Sequence, residues 1–206
     1  MLRLLLIRHS MTEGNLKKRY IGKTDEPLCP EGIRLIQDVF YPEVQEVFVS
    51  PMRRCVQTAG ILYPEHRLHI IDELAECDFG EFENKNYLEL SGNPNYQEWV
   101  DSGGVLPFPG GESREEFRWR CLNGFQKVVY NCMHQGVISA ALVVHGGTIM
   151  NVMETFAVPG RSFFEWHVKN GCGYAVELEE ELWKKNREEL RLLGRIPRGL
   201  TVHTQL

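Results

Sequence analysis

Three short runs of mostly branched apolar residues punctuate the chain: Leu4 to Ile7, Val44 to Val49 and Ala140 to Val144. Apolar runs of this length, bounded by polar residues, predict buried strands. Met52 to Tyr63 follows the second run and spaces Val56, Ala59, Ile61 and Leu62 for one buried helix face. Thr148 to Ala157 follows the third and does the same with Ile149, Val152, Met153 and Phe156. Glu31 to Val39 and the longer stretch Glu112 to His134 also predict helices. Phe163 to Val168 and Gly173 to Leu178 predict late strands, the last of them antiparallel. Strand and helix alternate, which predicts an α/β fold with a mostly parallel central sheet.

At 206 residues the chain suits one domain over 1–206 with a full core. From Asn84 to Gly111 the sequence turns rich in Asn, Gly and Pro, with Tyr87, Tyr96, Trp99 and Phe108 interspersed. This predicts a cap insertion of short helices and loops at about 84–111. Residues from about Arg195 onward read as a surface tail. A 43% hydrophobic and 25% charged composition places the chain among globular proteins. The net charge of -5 offers no general attraction to nucleic acid or to an anionic membrane, so an anionic ligand must be held by a local basic cluster.

The six cysteines are scattered without a Cys-x-x-Cys pair, which reads as buried free thiols in a reducing compartment. The apolar start from Leu2 to Ile7 is interrupted by Arg3 and is too short for a signal core or a membrane span. A cytoplasmic location, without membrane association, is the expectation.

In an open α/β sheet, ligands bind beyond the carboxyl ends of the strands. Here those ends carry Arg8-His9, then Ser50-Pro51-Met52-Arg53-Arg54, then His145-Gly146-Gly147. Guanidinium forks grip phosphoryl oxygens, and an imidazole serves as nucleophile or donor. A lone histidine at a strand end is more often a satisfied core or loop residue; two with several arginines point to a phosphate site.

Four segments extend this reading. LIRHSMTEGN resembles the Arg-His-Gly-x-Thr-x-x-Asn signature of the histidine phosphatase (phosphoglycerate mutase-like) superfamily, and SPMRRCVQTA resembles its Ser-x-x-x-Arg-x-x-x-Thr-Ala segment. LAECDFGEFEN is similar to its Leu-x-Glu-x-x-x-Gly-x-x-Glu-Gly, and VVHGGT to its second-histidine motif. The resemblance implies a three-layer α/β/α fold and a phosphatase that works without metal or other cofactor on a small-molecule phosphomonoester. It implies His9 as nucleophile, Arg8, Arg54 and His145 around the phosphoryl oxygens, and Glu76 as general acid and then base. Asn15, Gly22 and Gly146 are the implied substrate contacts.

Spacing alone does not select Glu76 from Asp72, Glu73, Asp78, Glu81 and Glu83; the resemblance does. It also prefers Arg54 to Arg53, whose side chain on a helix start would point about 100° away. Ser10 stands where the family has Gly, Phe82 where Trp is common and Asn84 where Gly is common. GGES at Gly110 to Ser113 reads as a turn and helix cap. The other histidines, His66, His69, His134, His167 and His203, show no metal-ligand spacing.

Within the superfamily, GKTDEPLCPEG and FEWHVKNGCGYAVEL resemble the alpha-ribazole phosphatase type of cobalamin biosynthesis. The cap contains only Lys85 as a basic residue, which speaks against a second phosphate clamp, and its aromatics are expected to offer flat faces to an apolar leaving group. A phosphoglycerate mutase or broad-specificity phosphatase is the alternative, a non-catalytic phosphoanion-binding protein the remotest, and a homodimer is compatible with the sequence.

Overall fold

The computed structural model describes residues 1–197. Seven strands form one sheet: β1 (Leu2–Arg8), β2 (Glu46–Val49), β3 (Leu68–Ile70), β4 (Ser139–Val144), β5 (Ala157–Val158), β6 (Gly173–Leu178) and β7 (Leu190–Ile196). Their order is β3-β2-β4-β1-β6-β7-β5. The first four strands of that order run parallel, β6 is antiparallel to both β1 and β7, and β5 is parallel to β7. The helices are α1 (Glu13–Leu16), α2 (Pro30–Gln37), α3 (Arg53–Leu62), α4 (Pro94–Asp101), α5 (Arg114–Gln135), α6 (Gly146–Phe156) and α7 (Glu180–Trp183).

The apolar runs are continuous because the central strands are covered on both faces. Leu4, Leu6, Phe48 and Leu142 pack in one cluster with Phe125 and Val128 of α5 and Ile149 and Met153 of α6. Leu5, Ile7, Val47, Val49 and Val143 share the opposite cluster with Cys55 and Ala59 of α3. The result is the three-layer α/β/α arrangement. All six cysteines are free thiols, five of them buried.

Two expectations need correction. Phe163 to Val168 is not a strand: Phe163–Trp166 forms a 3₁₀ turn whose start is fixed by a reciprocal cap between Ser162 and Glu165. A Ser-x-x-Glu pair is a helix-start signal that outweighs the aromatic content. Arg195 does not begin a tail either, since β7 continues through Ile196, which is 3% exposed. Residues 198–206 lie outside the described part.

Residues 84–111 carry α4, capped by the Asn93 side chain. They attach to the body through aromatic packing. Trp99 stacks on Phe108 at 5.2 Å between ring centroids, and Tyr20, Phe82 and Tyr96 meet this pair edge-on or stacked. The rings expected to face a ligand, apart from the exposed Tyr87, are therefore engaged with one another.

Candidate active site

Adjacent parallel strands bring three chain segments to one edge of the sheet. In the order β2, β4, β1 their carboxyl ends deliver Ser50 to Arg54, His145, and Arg8 with His9. The His9 backbone N–H donates to Val144 O at 2.9 Å, so β4 fixes the height of the nucleophile candidate above the sheet.

His9 is 3% exposed, and its Nδ1 lies 2.7 Å from the Ser10 carbonyl oxygen. A carbonyl only accepts, so the proton sits on Nδ1 and Nε2 carries the free lone pair. Burial first, then the positive charges of Arg54 and Arg8, hold the His9 pKa well below its ordinary 6.5. The ring is thus neutral and nucleophilic at physiological pH.

Arg54 is fully buried in the first turn of α3, while Arg53 next to it is exposed. Arg54 is anchored by donation from Nη1 to Thr24 O (3.0 Å) and from Nη2 to Gly22 O (3.0 Å) and Ile21 O (3.2 Å). Arg8 donates from Nη1 to Val168 O at 2.8 Å. The Nε of each arginine is buried with no hydrogen-bond partner among the described residues. A buried and a half-buried guanidinium group, each with a spare donor, beside a neutral imidazole form a receptor for an anion with several oxygens.

The His145 and His9 rings meet edge to face, 5.2 Å between centroids. His145 is fully buried; its Nε2 is 2.7 Å from Ser50 Oγ and its Nδ1 is 3.6 Å from Glu76 Oε2. A Ser50 hydroxyl donating to Nε2 would put the ring proton on Nδ1, toward Glu76. Burial, Arg54, His9 and Arg8 hold His145 well below the usual histidine range. Glu76 accepts from the Cys77 N–H at 3.0 Å through Oε1. Burial raises its pKa above the ordinary 4.5, opposed by Arg54, by that hydrogen bond and by Arg8. A carboxyl whose protonated form burial favours, beside a neutral imidazole, is suited to give a proton.

The structure therefore brings Arg8, His9, Arg54, Glu76 and His145 together. Asn15 stands beside them, its Oδ1 accepting from Thr12 N–H (3.2 Å) and Asn170 Nδ2 (3.1 Å), which leaves its own Nδ2 as donor. Gly22 supplies the carbonyl for Arg54, and a Cβ there would overlap the Cys77 carbonyl oxygen. Gly146 opens α6 and leaves room for Arg8, whose Nε would lie 3.4 Å from a Cβ at that position. Both glycines thus touch the machinery through the arginines. A cavity of about 260 Å³ reaches Glu76 and is lined by Gly22, Lys23, Met52, Asp78, Glu112 and Arg120 among others.

Asn170 lies within the FEWHVKNGCGYAVEL segment, but the sequence reading gives it no role. Its Nδ2 donates to His9 O at 3.0 Å as well as to Asn15, bracing the nucleophile loop from the turn before β6. Thr58 belongs to the Ser-x-x-x-Arg-x-x-x-Thr-Ala segment; its Oγ1 accepts from Ser10 N–H (3.0 Å) and donates to Arg54 O (2.7 Å).

The departures from the family pattern also find physical reasons. Ser10 turns its hydroxyl away from the pocket, donating to Gly32 O at 2.6 Å. Asn84 has φ +57°, the left-handed conformation that glycine adopts freely and asparagine tolerates. Phe82 is fully buried among the cap rings.

Among the described residues, Glu13, Cys29 and Glu31 form the one group whose ligand atoms approach closely enough to consider a metal, within 4.8 Å of one another. Both carboxylates are exposed and Cys29 Sγ already accepts from Gly32 N–H. No helix among the described residues is long and apolar enough to cross a membrane.

Comparison with known proteins places this geometry. The profile of the histidine phosphatase superfamily (branch 1) matches residues 4–189. A Hydrogenobacter thermophilus protein provisionally named phosphoserine phosphatase 2 is 30% identical over 190 residues, covering 88% of this chain and 92% of its own. The adenosylcobalamin/alpha-ribazole phosphatase of Escherichia coli K12 is 26% identical over 196 residues, covering 87% and 92%. A crystal structure from E. coli K-12, titled provisionally as an alpha-ribazole-5'-P phosphatase, superimposes with TM-score 0.78 at 22% identity, covering 93% of this chain and 94% of that one. With that profile spanning most of its length and relatives this similar end to end, the chain belongs to branch 1 of the histidine phosphatase superfamily and is a phosphoric monoester hydrolase.

Proposed function

We propose that the protein hydrolyses a small phosphomonoester through a phosphohistidine on His9. The observation that carries this reading is the His9 Nδ1 contact to Ser10 O, which leaves Nε2 unprotonated while the charges of Arg54 and Arg8 disfavour its protonation. In the first step the Nε2 lone pair forms the N–P bond as the P–O bond to the alcohol breaks, and the Glu76 proton passes to the leaving alkoxide. Arg8, Arg54 and His145 donate to the equatorial oxygens, and Asn15 adds a further donor. In the second step water attacks phosphorus, the P–N bond breaks, and Glu76 takes the water proton. Inorganic phosphate leaves and His9 returns neutral.

For the leaving group we propose alpha-ribazole, hence a place in cobalamin biosynthesis. The support is the name of the E. coli relative and the GKTDEPLCPEG segment, which supplies Gly22 and Lys23 to the cavity beside Glu76. The mutual packing of the cap rings removes the aromatic-platform argument for this substrate. Against a mutase stands the lining of that cavity: Asp78 pairs with Lys23 and Glu112 with Arg120, so both nearby cations are already neutralised.

Rapid quenching during turnover should trap an acid-labile phosphoryl group on His9, and His9→Ala should abolish both adduct and turnover. Turnover by His9→Ala above a few percent of wild type refutes the nucleophile. Comparing kcat/KM for alpha-ribazole 5'-phosphate, phosphoserine and 3-phosphoglycerate tests the leaving group separately; a preference for either of the latter two refutes the substrate while keeping the mechanism.

A further inference from the structure

Glu76 sits in a loop without regular structure, between the 3₁₀ turns Asp72–Leu74 and Gly80–Phe82. Its carboxyl makes one short hydrogen bond, to the N–H of the residue that follows it. The position of the carboxyl is therefore dictated by the backbone of that loop.

The backbone is held by a residue outside the reacting centre. Arg120, in the second turn of α5, donates from Nη1 to Glu73 O (3.1 Å) and Ala75 O (2.8 Å), and from Nη2 to Glu76 O (3.1 Å). Its Nε and Nη2 also grip the Glu112 carboxylate at 2.9 and 2.7 Å. All five guanidinium N–H donors are thereby used. Glu112 closes the arrangement from the far side: its Oε2 accepts from Asp78 N–H at 3.0 Å, and its own N–H donates to Asp78 O at 3.0 Å. One ion pair thus spans the loop from residue 73 to residue 78, with Glu76 in the middle.

We infer that Arg120 and Glu112 are positioning residues for Glu76, setting where the proton donor stands relative to His9 and His145. This rests on the reading of Glu76 as general acid. The Arg120 charge is paired with Glu112 yet still acts on the site, favouring the ionised Glu76 and the neutral His145, so the test must keep the charge while removing the geometry. A lysine at 120 keeps the charge but, as a single ammonium, cannot reach three carbonyls and a bidentate carboxylate together. Misplacement of a catalytic group by about 1 Å costs up to roughly 10²-fold.

The test compares kcat/KM for an alkyl phosphate with that for p-nitrophenyl phosphate. This constant covers only the steps up to release of the alcohol or phenol, and a nitrophenolate leaves without a proton. Arg120→Lys is expected to lower kcat/KM for the alkyl ester by about 10–100-fold, within the range general acid catalysis supplies, and to leave p-nitrophenyl phosphate within about threefold. Glu112→Gln, which retains an acceptor for Asp78 N–H, should show the same bias to a smaller degree and serves if Arg120→Lys does not fold. Glu76→Gln, run in parallel, must show the bias at its fullest. Equal losses on both esters in the Arg120 and Glu112 variants, or no loss, overturn the inference if Glu76→Gln retains its bias. Absence of the bias in Glu76→Gln itself overturns the general-acid reading and the inference with it.

Discussion

Removal of one hydroxyl group, in Ser50→Ala, tests how the second histidine is set. Ser50 and His145 are both fully buried, and the Oγ to Nε2 distance is 2.7 Å. Without the hydroxyl, Nε2 faces only Cys55 Sγ at 3.6 Å, a thiol that burial pushes up to about 12 and that is a weak donor. An unsatisfied buried nitrogen costs about 1–3 kcal/mol, which for a chain of this size lowers Tm by about 2–12 °C. The second effect is on the proton. If Ser50 donates to Nε2, the imidazole proton is held on Nδ1, 3.6 Å from Glu76 Oε2; losing about 1.4 kcal/mol of that preference corresponds to about tenfold. Thermal unfolding reads the first effect, and kcat/KM on p-nitrophenyl phosphate reads the second, expected about tenfold below wild type. Nitrogen-15 NMR of the His145 ring assigns the tautomer directly. A variant within twofold of wild type, or a wild-type ring with its proton already on Nε2, refutes the reasoning.

Acidity and backbone fit give two more expectations. Because burial and the neighbouring arginines hold His9 below 6.5 and burial holds Glu76 above 4.5, kcat/KM for an alkyl phosphate, referred to the dianionic substrate, should have its acid limb, from His9, below pH 6.5 and its alkaline limb, from Glu76, above pH 4.5. An acid limb centred at 6.5 or above, or an alkaline limb unchanged in Glu76→Gln, contradicts this. On the stability side, His9 and His145 bind protons better unfolded than folded, so their contribution falls as pH drops below about 6.5, and Tm should fall with it. Gly22→Ala forces a Cβ into the Cys77 carbonyl and displaces the carbonyl that anchors Arg54. It should cost about 1–3 kcal/mol in stability and raise KM for phosphomonoesters; wild-type Tm and KM would show that the contact relaxes freely.

The chemistry was more legible in the sequence than the outer fold. Leu4 to Ile7 and Ala140 to Val144 announce themselves because strands covered on both faces must be apolar throughout, and the polar groups directly after them then fall at one sheet edge. A helical offset of about 100° between neighbours is enough to set exposed Arg53 apart from buried Arg54. Edge elements lack such constraint. β3 is three residues long with half-exposed side chains, and β7 is buried only at Leu190 and Ile196, with its register against β6 shifting between Leu192 and Gly194. Asn170 and Arg120 act through carbonyl oxygens, which every residue possesses, so no pattern of residue types could mark their targets. Ser162 and Glu165 did carry a readable signal against a strand, which the strand preference of the neighbouring aromatics masks in the sequence.

The 5.2 Å between the two histidine rings is close to the spacing of about 4.8 Å between neighbouring strands, and His9 and His145 follow strands that are neighbours. The pitch of a sheet is set by peptide hydrogen bonds that are the same for every sequence. The separation of the two imidazoles is accordingly inherited from the backbone and is insensitive to mutation elsewhere. The segment from Ile21 to Thr24 and residues 84–111, by contrast, are joined to the rest of the fold by side-chain packing and a few polar contacts that individual substitutions can rearrange. Descendants of such a scaffold are free to exchange one ligand for another by altering those contacts, while the spacing of the two imidazoles stays as the parallel strands dictate.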